Sequence, residues 1–350
     1  MNQGITRNLD VHGRTAMTRA RLVVLSRQGR TSVPEDVWRR LDTICEVTAV
    51  RCDGSPGLAE AVGLLADADY LGATNLCLPP LDGRLLDALP RLRGVVLYAT
   101  GYDHLDVPDL RRRGVGLSVL PDYATTAVAE HALAMLLALA TRLPLAHDRS
   151  RGTAHPGTSL RGVELAGRTV GVVGLGRIGT RFAGLARALG MRVTGTDPDP
   201  VAAARATAAG VDVGGLGDVL RRADAVVLAA SHVGGRPAIL GARELELARP
   251  GTFIVNVGRP ALVDTPAALA ALRTRRLRGY AVDDVVADPA LDADVLREGR
   301  LLQTGHSAWW RDEVLERGAR MWGDSLVRAV TGRPVGVVTW PGHTELRAAG

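Results

Sequence analysis

The chain has 350 residues, enough for two domains that each bury a core. Its 46% hydrophobic and 23% charged residues, with a net charge of +6, are ordinary for a globular protein and exclude overall disorder. No lysine occurs, so all 43 basic residues are arginines, which keep their protons and cannot act as amine nucleophiles; this excludes P-loop chemistry and pyridoxal Schiff bases and disfavours the short-chain, β-hydroxyacid and many amino-acid dehydrogenases that rest on a catalytic lysine.

In chain order, residues 1–20 are polar and expected to be disordered, with Met17 as an alternative start. No charged region followed by an apolar one opens the chain, so a cytoplasmic location is expected. Short apolar runs at Leu22–Leu25, Tyr70–Leu71, Val95–Tyr98 and Leu117–Val119 alternate with amphipathic segments and predict a small open α/β domain with parallel strands. Cys45, Cys52 and Cys77 form neither a CxxC nor an even disulfide framework, so they read as small buried hydrophobes and no metal site is expected.

A long helix is predicted from about Thr126 to Leu143, with Thr125 or Thr126 as N-cap and Glu130 in its first turns. The apolar stretch Val128–Leu145 is broken by Glu130, His131 and Arg142 and therefore reads as a buried helix, not a membrane span. Arg149–Gly162 is polar and rich in Gly, Pro and Thr, a loop. The arginine runs Arg111–Arg113 and Arg273–Arg278 lack interleaved aromatics and sit beside turn glycines, so they read as solvated helix ends and no nucleic-acid partner is expected.

The second domain repeats strand and helix: Val170–Val173, Val193–Thr196, Ala225–Ala229, Phe253–Val257, Gly279–Asp283 and Leu301–Gln303 predict a doubly wound sheet. Its first strand runs directly into Gly174-Leu175-Gly176-Arg177-Ile178-Gly179, a GxGxxG. Gly174 permits a tight turn, Gly176 lets backbone approach a pyrophosphate, and Gly179 lets the following helix pack on the strand, while the helix start offers free N–H groups. Ile178, Phe182, Leu185, Ala186 and Leu189 then recur at helical spacing before Gly190. The next strand ends at Asp197, where a carboxylate suits ribose hydroxyls and would repel the extra phosphate of NADP; the expected cofactor is NAD. The tail from Trp309 begins with a helix expected to pack back on the first domain.

Ligands of open α/β sheets sit at the carboxyl ends of strands. There the sequence offers Gly258-Arg259, Asp283-Asp284 leading to Asp288-Pro289, and Gly305-His306. Reduction of a 2-oxo acid needs a cation for the carboxylate and carbonyl, a hydride, and a proton for the developing alkoxide. Arg259 suits the first role and His306 the last, with Asp288 as a carboxylate favouring the protonated imidazole.

With these residues, and with Ala99-Thr100-Gly101-Tyr102-Asp103, Val128-Ala129-Glu130-His131, Asn256-Val257-Gly258-Arg259, Tyr280-Ala281-Val282-Asp283 and His306-Ser307-Ala308-Trp309, the chain resembles the D-isomer-specific 2-hydroxyacid dehydrogenases from about Arg21 to Pro341. The resemblance implies an α/β protein of two Rossmann-like domains with parallel sheets and a cleft between them. One is a flavodoxin-like substrate domain from residues 21–122 plus 308–350; the other is an NAD-binding Rossmann domain from residues 123–307, with hinges near Asp122 and Ser307. It implies Arg259, Asp288 and His306 as catalytic residues, and Tyr98, Thr100, Gly101 and Trp309 as substrate residues. Expected cofactor contacts are Gly174, Gly176, Arg177, Ile178, Gly179, Asp197, Pro198, Val257, Gly258, Asp283 and Thr126. Trp309 and Trp310 resemble the branch that contains the C-terminal-binding-protein corepressors, with domain packing as their alternative role. Homodimerisation through the nucleotide domain is implied as well.

Departures cluster at the expected site. Asp288 stands where the family usually has glutamate, about 1.5 Å shorter in reach; Pro260 follows Arg259 in place of glycine; Gly305 precedes His306 in place of proline; and Ala229-Ala230-Ser231-His232 lacks the usual proline, with His232 read as incidental surface. The expected activity is NAD-dependent interconversion of a small 2-oxo acid and a D-2-hydroxy acid. A formate- or phosphite-type dehydrogenase and a corepressor-like NAD(H) sensor with little turnover are the alternatives, and the substrate side chain stays open.

Overall fold

The computed structural model describes residues 7–9, 15–17, 19–154, 157–232 and 235–343. Within the expected disordered segment, Arg7–Leu9 (β1) and Thr15–Met17 (β2) pair antiparallel. The other residues before Arg19 lie outside the described residues. Contacts divide the chain into two compact units, one from the residues up to Tyr123 together with those from Asp312, the other from Ala124–Arg311.

The first unit carries β3 (Arg21–Ser26), β4 (Glu46–Arg51), β5 (Tyr70–Thr74), β6 (Gly94–Tyr98) and β7 (Gly116–Ser118). Its sheet runs Val337–Thr339, β7, β6, β5, β3, β4; every pair is parallel except Val337–Thr339 on β7. This is the flavodoxin-like order, with an antiparallel strand added at one edge. The four strands read from the sequence are the ones with buried apolar runs. Strand β4 has no such run, because it forms the opposite edge and its residues are exposed or half-buried. The helix Asp312–Val330 packs on β6 and on the helix Glu35–Ile44. Its anchor is Trp322, fully buried, whose Nε1–H donates to the Val96 carbonyl at 3.0 Å and whose ring stacks 5.3 Å from Tyr98. All three cysteines are buried and free, as their spacing suggested. Burial pushes the Cys45 thiol up to about 12.

The second unit holds β8 (Thr169–Val173), β9 (Arg192–Thr196), β10 (Asp212–Val213), β11 (Ala225–Leu228), β12 (Thr252–Asn256), β13 (Leu277–Val282) and β14 (Leu301–Gln303). They form one parallel sheet in the order β10-β9-β8-β11-β12-β13-β14. All residues of β8, β11 and β12 are buried, which is why they read as continuous apolar runs. The two-residue β10 gives no such signal. The order reverses between β8 and β11, and the segments after all seven strands leave the same edge of the sheet.

The long helix spans Thr125–Thr141 and buries Ala129, Ala132, Met135, Leu136, Leu139 and Ala140 against the helix Arg177–Ala188 and β12. Ala124, with no side-chain cap, precedes it, so Thr125 and Thr126 lie in its first turn and neither is the expected N-cap. Arg142 takes φ +60 and breaks the chain into a second helix, Leu143–Ser150, so the polar segment expected as loop begins helical. Residues 155–156 of that segment lie outside the described residues. Among the described residues no single helix is long and apolar enough to cross a membrane.

Candidate active site

The turn after β8 is built as the glycine spacing requires. Gly174 takes φ +91, and a Cβ there would stand 2.6 Å from the Ala230 Cα, so this turn is pressed against the segment that follows β11. A Cβ on Gly179 would overlap the Gly174 carbonyl oxygen, which is the close helix-to-strand approach that excludes any side chain. Gly176 caps the helix Arg177–Ala188, whose first-turn N–H groups face outward from the strand end. Ile178 is half-buried and Arg177 exposed. The helix that starts beside Thr126 packs on this same helix.

Asp197 follows β9 directly. Its Oδ2 accepts the Leu175 N–H at 2.6 Å and its Oδ1 the Asp199 N–H at 2.8 Å, so one half-buried carboxylate joins the glycine turn to the end of β9, next to the exposed Pro198. A carboxylate has about four acceptor sites, and two amides leave capacity for hydroxyl donors. Asp197→Ala is expected to weaken NADH binding about tenfold or more, the worth of a charge-assisted bond, read by quenching of protein fluorescence; unchanged affinity would remove Asp197 from the cofactor contacts.

After β12, Val257 is buried and Gly258 approaches the Ala230 carbonyl so closely that a Cβ would lie 2.7 Å from it. The buried Asn256 shapes the turn that presents Arg259. Its Nδ2 donates to the Arg259 carbonyl at 2.7 Å and its Oδ1 accepts the Gly258 N–H at 3.1 Å. Arg259 is half-buried, and its Nη1 donates to the Gly258 carbonyl at 3.1 Å. Pro260 is accommodated because it opens a short 3-10 turn, Pro260–Leu262, and Arg259 before it is extended at φ −136.

Asp283, expected beside the nicotinamide, is buried and committed inward. Its Oδ1 accepts the Thr304 hydroxyl and the Ser307 N–H, both at 2.8 Å, and its Oδ2 accepts the Ala308 N–H at 3.1 Å. The carboxylate thus builds the turn that carries His306. In that turn Gly305 and His306 take φ +60 and +58, a backbone that the family's proline at 305 could not enter. The half-exposed His306 ring has its Nδ1 3.7 Å from Asp284 Oδ2.

The structure corrects the expected pairing of His306 with Asp288. Asp288 is exposed and its Oδ1 accepts the Ala290 N–H at 2.7 Å, closing its own turn; the carboxylate beside His306 is Asp284. Gln303 holds the intervening loop, accepting the Val286 and Ala287 N–H groups at 2.7 and 2.8 Å. The doubled acid after β13 is the only sequence sign of Asp284.

Trp309 is half-buried and meets the exposed Trp310 edge to face, centroids 5.0 Å apart. In the first unit, the Tyr98 hydroxyl donates to the Leu315 carbonyl at 3.3 Å and its ring lies on Trp322, so Tyr98 packs on the helix Asp312–Val330. The Thr100 hydroxyl donates to the Leu120 carbonyl at 2.7 Å, fixing the turn that leads to Gly101.

The model of the D-isomer specific 2-hydroxyacid dehydrogenase, NAD binding domain, matches residues 133–308. The D-3-phosphoglycerate dehydrogenase of Mycobacterium leprae is 31% identical over 283 residues, which are 81% of this chain and 53% of that protein. The chain therefore spans about half the length of that relative. The glyoxylate reductase of Thermococcus gammatolerans is 33% identical over 235 residues, 65% of this chain and 70% of that protein. Among solved structures, a glyoxylate reductase from Paecilomyes thermophila superposes with a TM-score of 0.78 at 22% identity, covering 91% of this chain and 98% of that one, a likeness of fold. By its NAD-binding segment and these relatives, the chain belongs to the D-isomer specific 2-hydroxyacid dehydrogenase family.

Proposed function

We propose that the protein interconverts a small 2-oxo acid and the D-2-hydroxy acid with NAD, in the balance 2-oxo acid + NADH + H⁺ = 2-hydroxy acid + NAD⁺. One observation carries the reading: Arg259, Asp284 and His306 follow three adjacent parallel strands, β12, β13 and β14, on the sheet edge that also bears the Gly174 turn and Asp197. The Gly174 turn and the Asp197 carboxylate suit a dinucleotide: a Cβ at Gly174 would strike the Ala230 backbone and one at Gly179 the Gly174 carbonyl oxygen, so glycine alone permits this turn and the close approach of the helix whose N-terminus suits a pyrophosphate. Bound NADH supplies the hydride. The Arg259 guanidinium binds the substrate carboxylate and polarises the carbonyl, and the His306 imidazolium gives the proton that the alkoxide takes up. Asp284, 3.7 Å from the ring Nδ1, orients that imidazole, in the place expected for Asp288. We propose Trp309 as a substrate contact.

The test is NADH oxidation followed by absorbance with glyoxylate and longer 2-oxo acids. Turnover is expected with at least one, and Arg259→Ala is expected to lower kcat/KM by about 10²-fold or more. Asp284→Asn should lower kcat while Asp288→Asn leaves it near wild type; the reverse order would restore Asp288 to the site. NADH binding without turnover of any acid would overturn the enzyme and favour the sensor reading. The proposal includes a cytoplasmic homodimer, supported by family membership; a monomer by light scattering would contradict the second copy.

A further inference from the structure

Behind the His306 turn runs a connected set of side chains that the proposed reaction does not itself use. The Thr304 hydroxyl donates its proton to Asp283, so toward His131 Nε2, 3.1 Å away, it can only accept. His131 must then carry its proton on Nε2. On the other side of the ring, Arg311 Nη2 stands 3.1 Å from Nδ1, and a guanidinium has no lone pair to offer, so Nδ1 must be bare. Both neighbours demand the same neutral tautomer. Arg311 further donates to the Ser307 and Trp310 carbonyls at 3.3 and 2.8 Å. Asp283 holds the amides of Ser307 and Ala308, and Arg311 holds carbonyls of the same short segment.

We propose that His131, on the helix Thr125–Thr141, is a positioning residue for His306: its neutral Nε2–H form links Arg311 to Thr304, clamps the segment after His306, and opens that clamp when it takes up a proton. The kinetic consequence rests on the reading of His306 as the acid/base; the clamp itself does not. A protonated His131 would turn an N–H and a positive charge toward Arg311, expelling the guanidinium from Nδ1 and loosening its hold on the two carbonyls. The charged groups facing the imidazole are Asp283, 3.7 Å from Nε2, and Arg311. Burial lowers the pKa of His131 below the usual histidine value, Asp283 opposes that and Arg311 adds to it. The clamp is therefore closed at neutral pH and opens as pH falls below the ordinary histidine range.

The test uses the full chain labelled with ¹⁵N, with His131 assigned by its loss in His131→Gln. The expected ring shifts are those of the Nε2–H tautomer at pH 7.5, and amide protection at Ser307 and Ala308 should fall about tenfold in Thr304→Val and Arg311→Ala, with Val172 of β8 unchanged as an internal control. Thr304→Ser should restore protection. His131→Gln is the decisive variant, because its amide can accept from Arg311 and donate to Thr304 while having no proton to gain. It should keep the protection at pH 7.5 and lose the acid-dependent opening seen in wild type. An Nδ1–H tautomer, wild-type protection in both Thr304→Val and Arg311→Ala, or unchanged acid opening in His131→Gln would overturn the proposal. Absence of turnover with every 2-oxo acid would sink the dehydrogenase reading and leave these exchange results standing.

Discussion

Replacing His306 with asparagine is expected to lower kcat by about 10²–10⁴, the usual worth of a positioned general acid, with NADH affinity unchanged within about twofold. Asparagine is the informative choice because His306 sits at φ +58, in the left-handed region that asparagine tolerates better than most residues, so the turn survives while the proposed proton donor is lost. With the His306 side chain 52% exposed, the exchange removes little packing, and stability should stay within about 0.5 kcal/mol. The fall should appear equally in kcat and kcat/KM, since the lost interaction belongs to the transition state. A variant that keeps kcat within tenfold of wild type would mean that the proton comes from another group.

The largest effect on stability is expected at Trp322. Its side chain is fully buried between the helix Asp312–Val330 and the first sheet, where a Cβ on Gly72 would come within 3.3 Å of its ring. Trp322→Ala should cost about 3–5 kcal/mol, combining lost burial with a cavity that the rigid sheet cannot fill. Trp322→Phe should cost less, about 1–3 kcal/mol, chiefly the bond to the Val96 carbonyl. Urea unfolding that reports the first unit is the measurement. A loss under about 1 kcal/mol in the alanine variant would show that the helix is held by other contacts.

The parts legible in the sequence are those where one backbone geometry admits one residue type, or where burial on both faces leaves only apolar residues. Gly174 and Gly179 belong to the first kind, and the strands β8, β11 and β12 to the second. The edge strand β4 escaped because it carries mixed polarity, and the edge strand β10 because it is two residues long. The helix break at Arg142 gave no sign, since arginine is not a residue whose presence signals φ +60. Which carboxylate meets His306 depends on the path of the loop from Asp284 to Asp292, closed by Asp288 onto Ala290 and by Gln303 onto Val286, and no local pattern encodes that path. The packing of Tyr98 is not legible locally, since its partners Trp322 and Leu315 lie more than two hundred positions away. In the sequence His131 reads as a polar break in an apolar helix and as part of a motif, and its positioning role is hidden because its partners Thr304 and Arg311 come from the far end of the unit.

The three cysteines closed inside the first unit leave the folded protein without a readily reached sulfur nucleophile. Since the chain also lacks lysine, its surface is nearly silent to the two commonest labelling chemistries. A single cysteine placed at an exposed position such as Arg181 or Trp310 would therefore accept a fluorophore or spin label selectively, with every native thiol left in place.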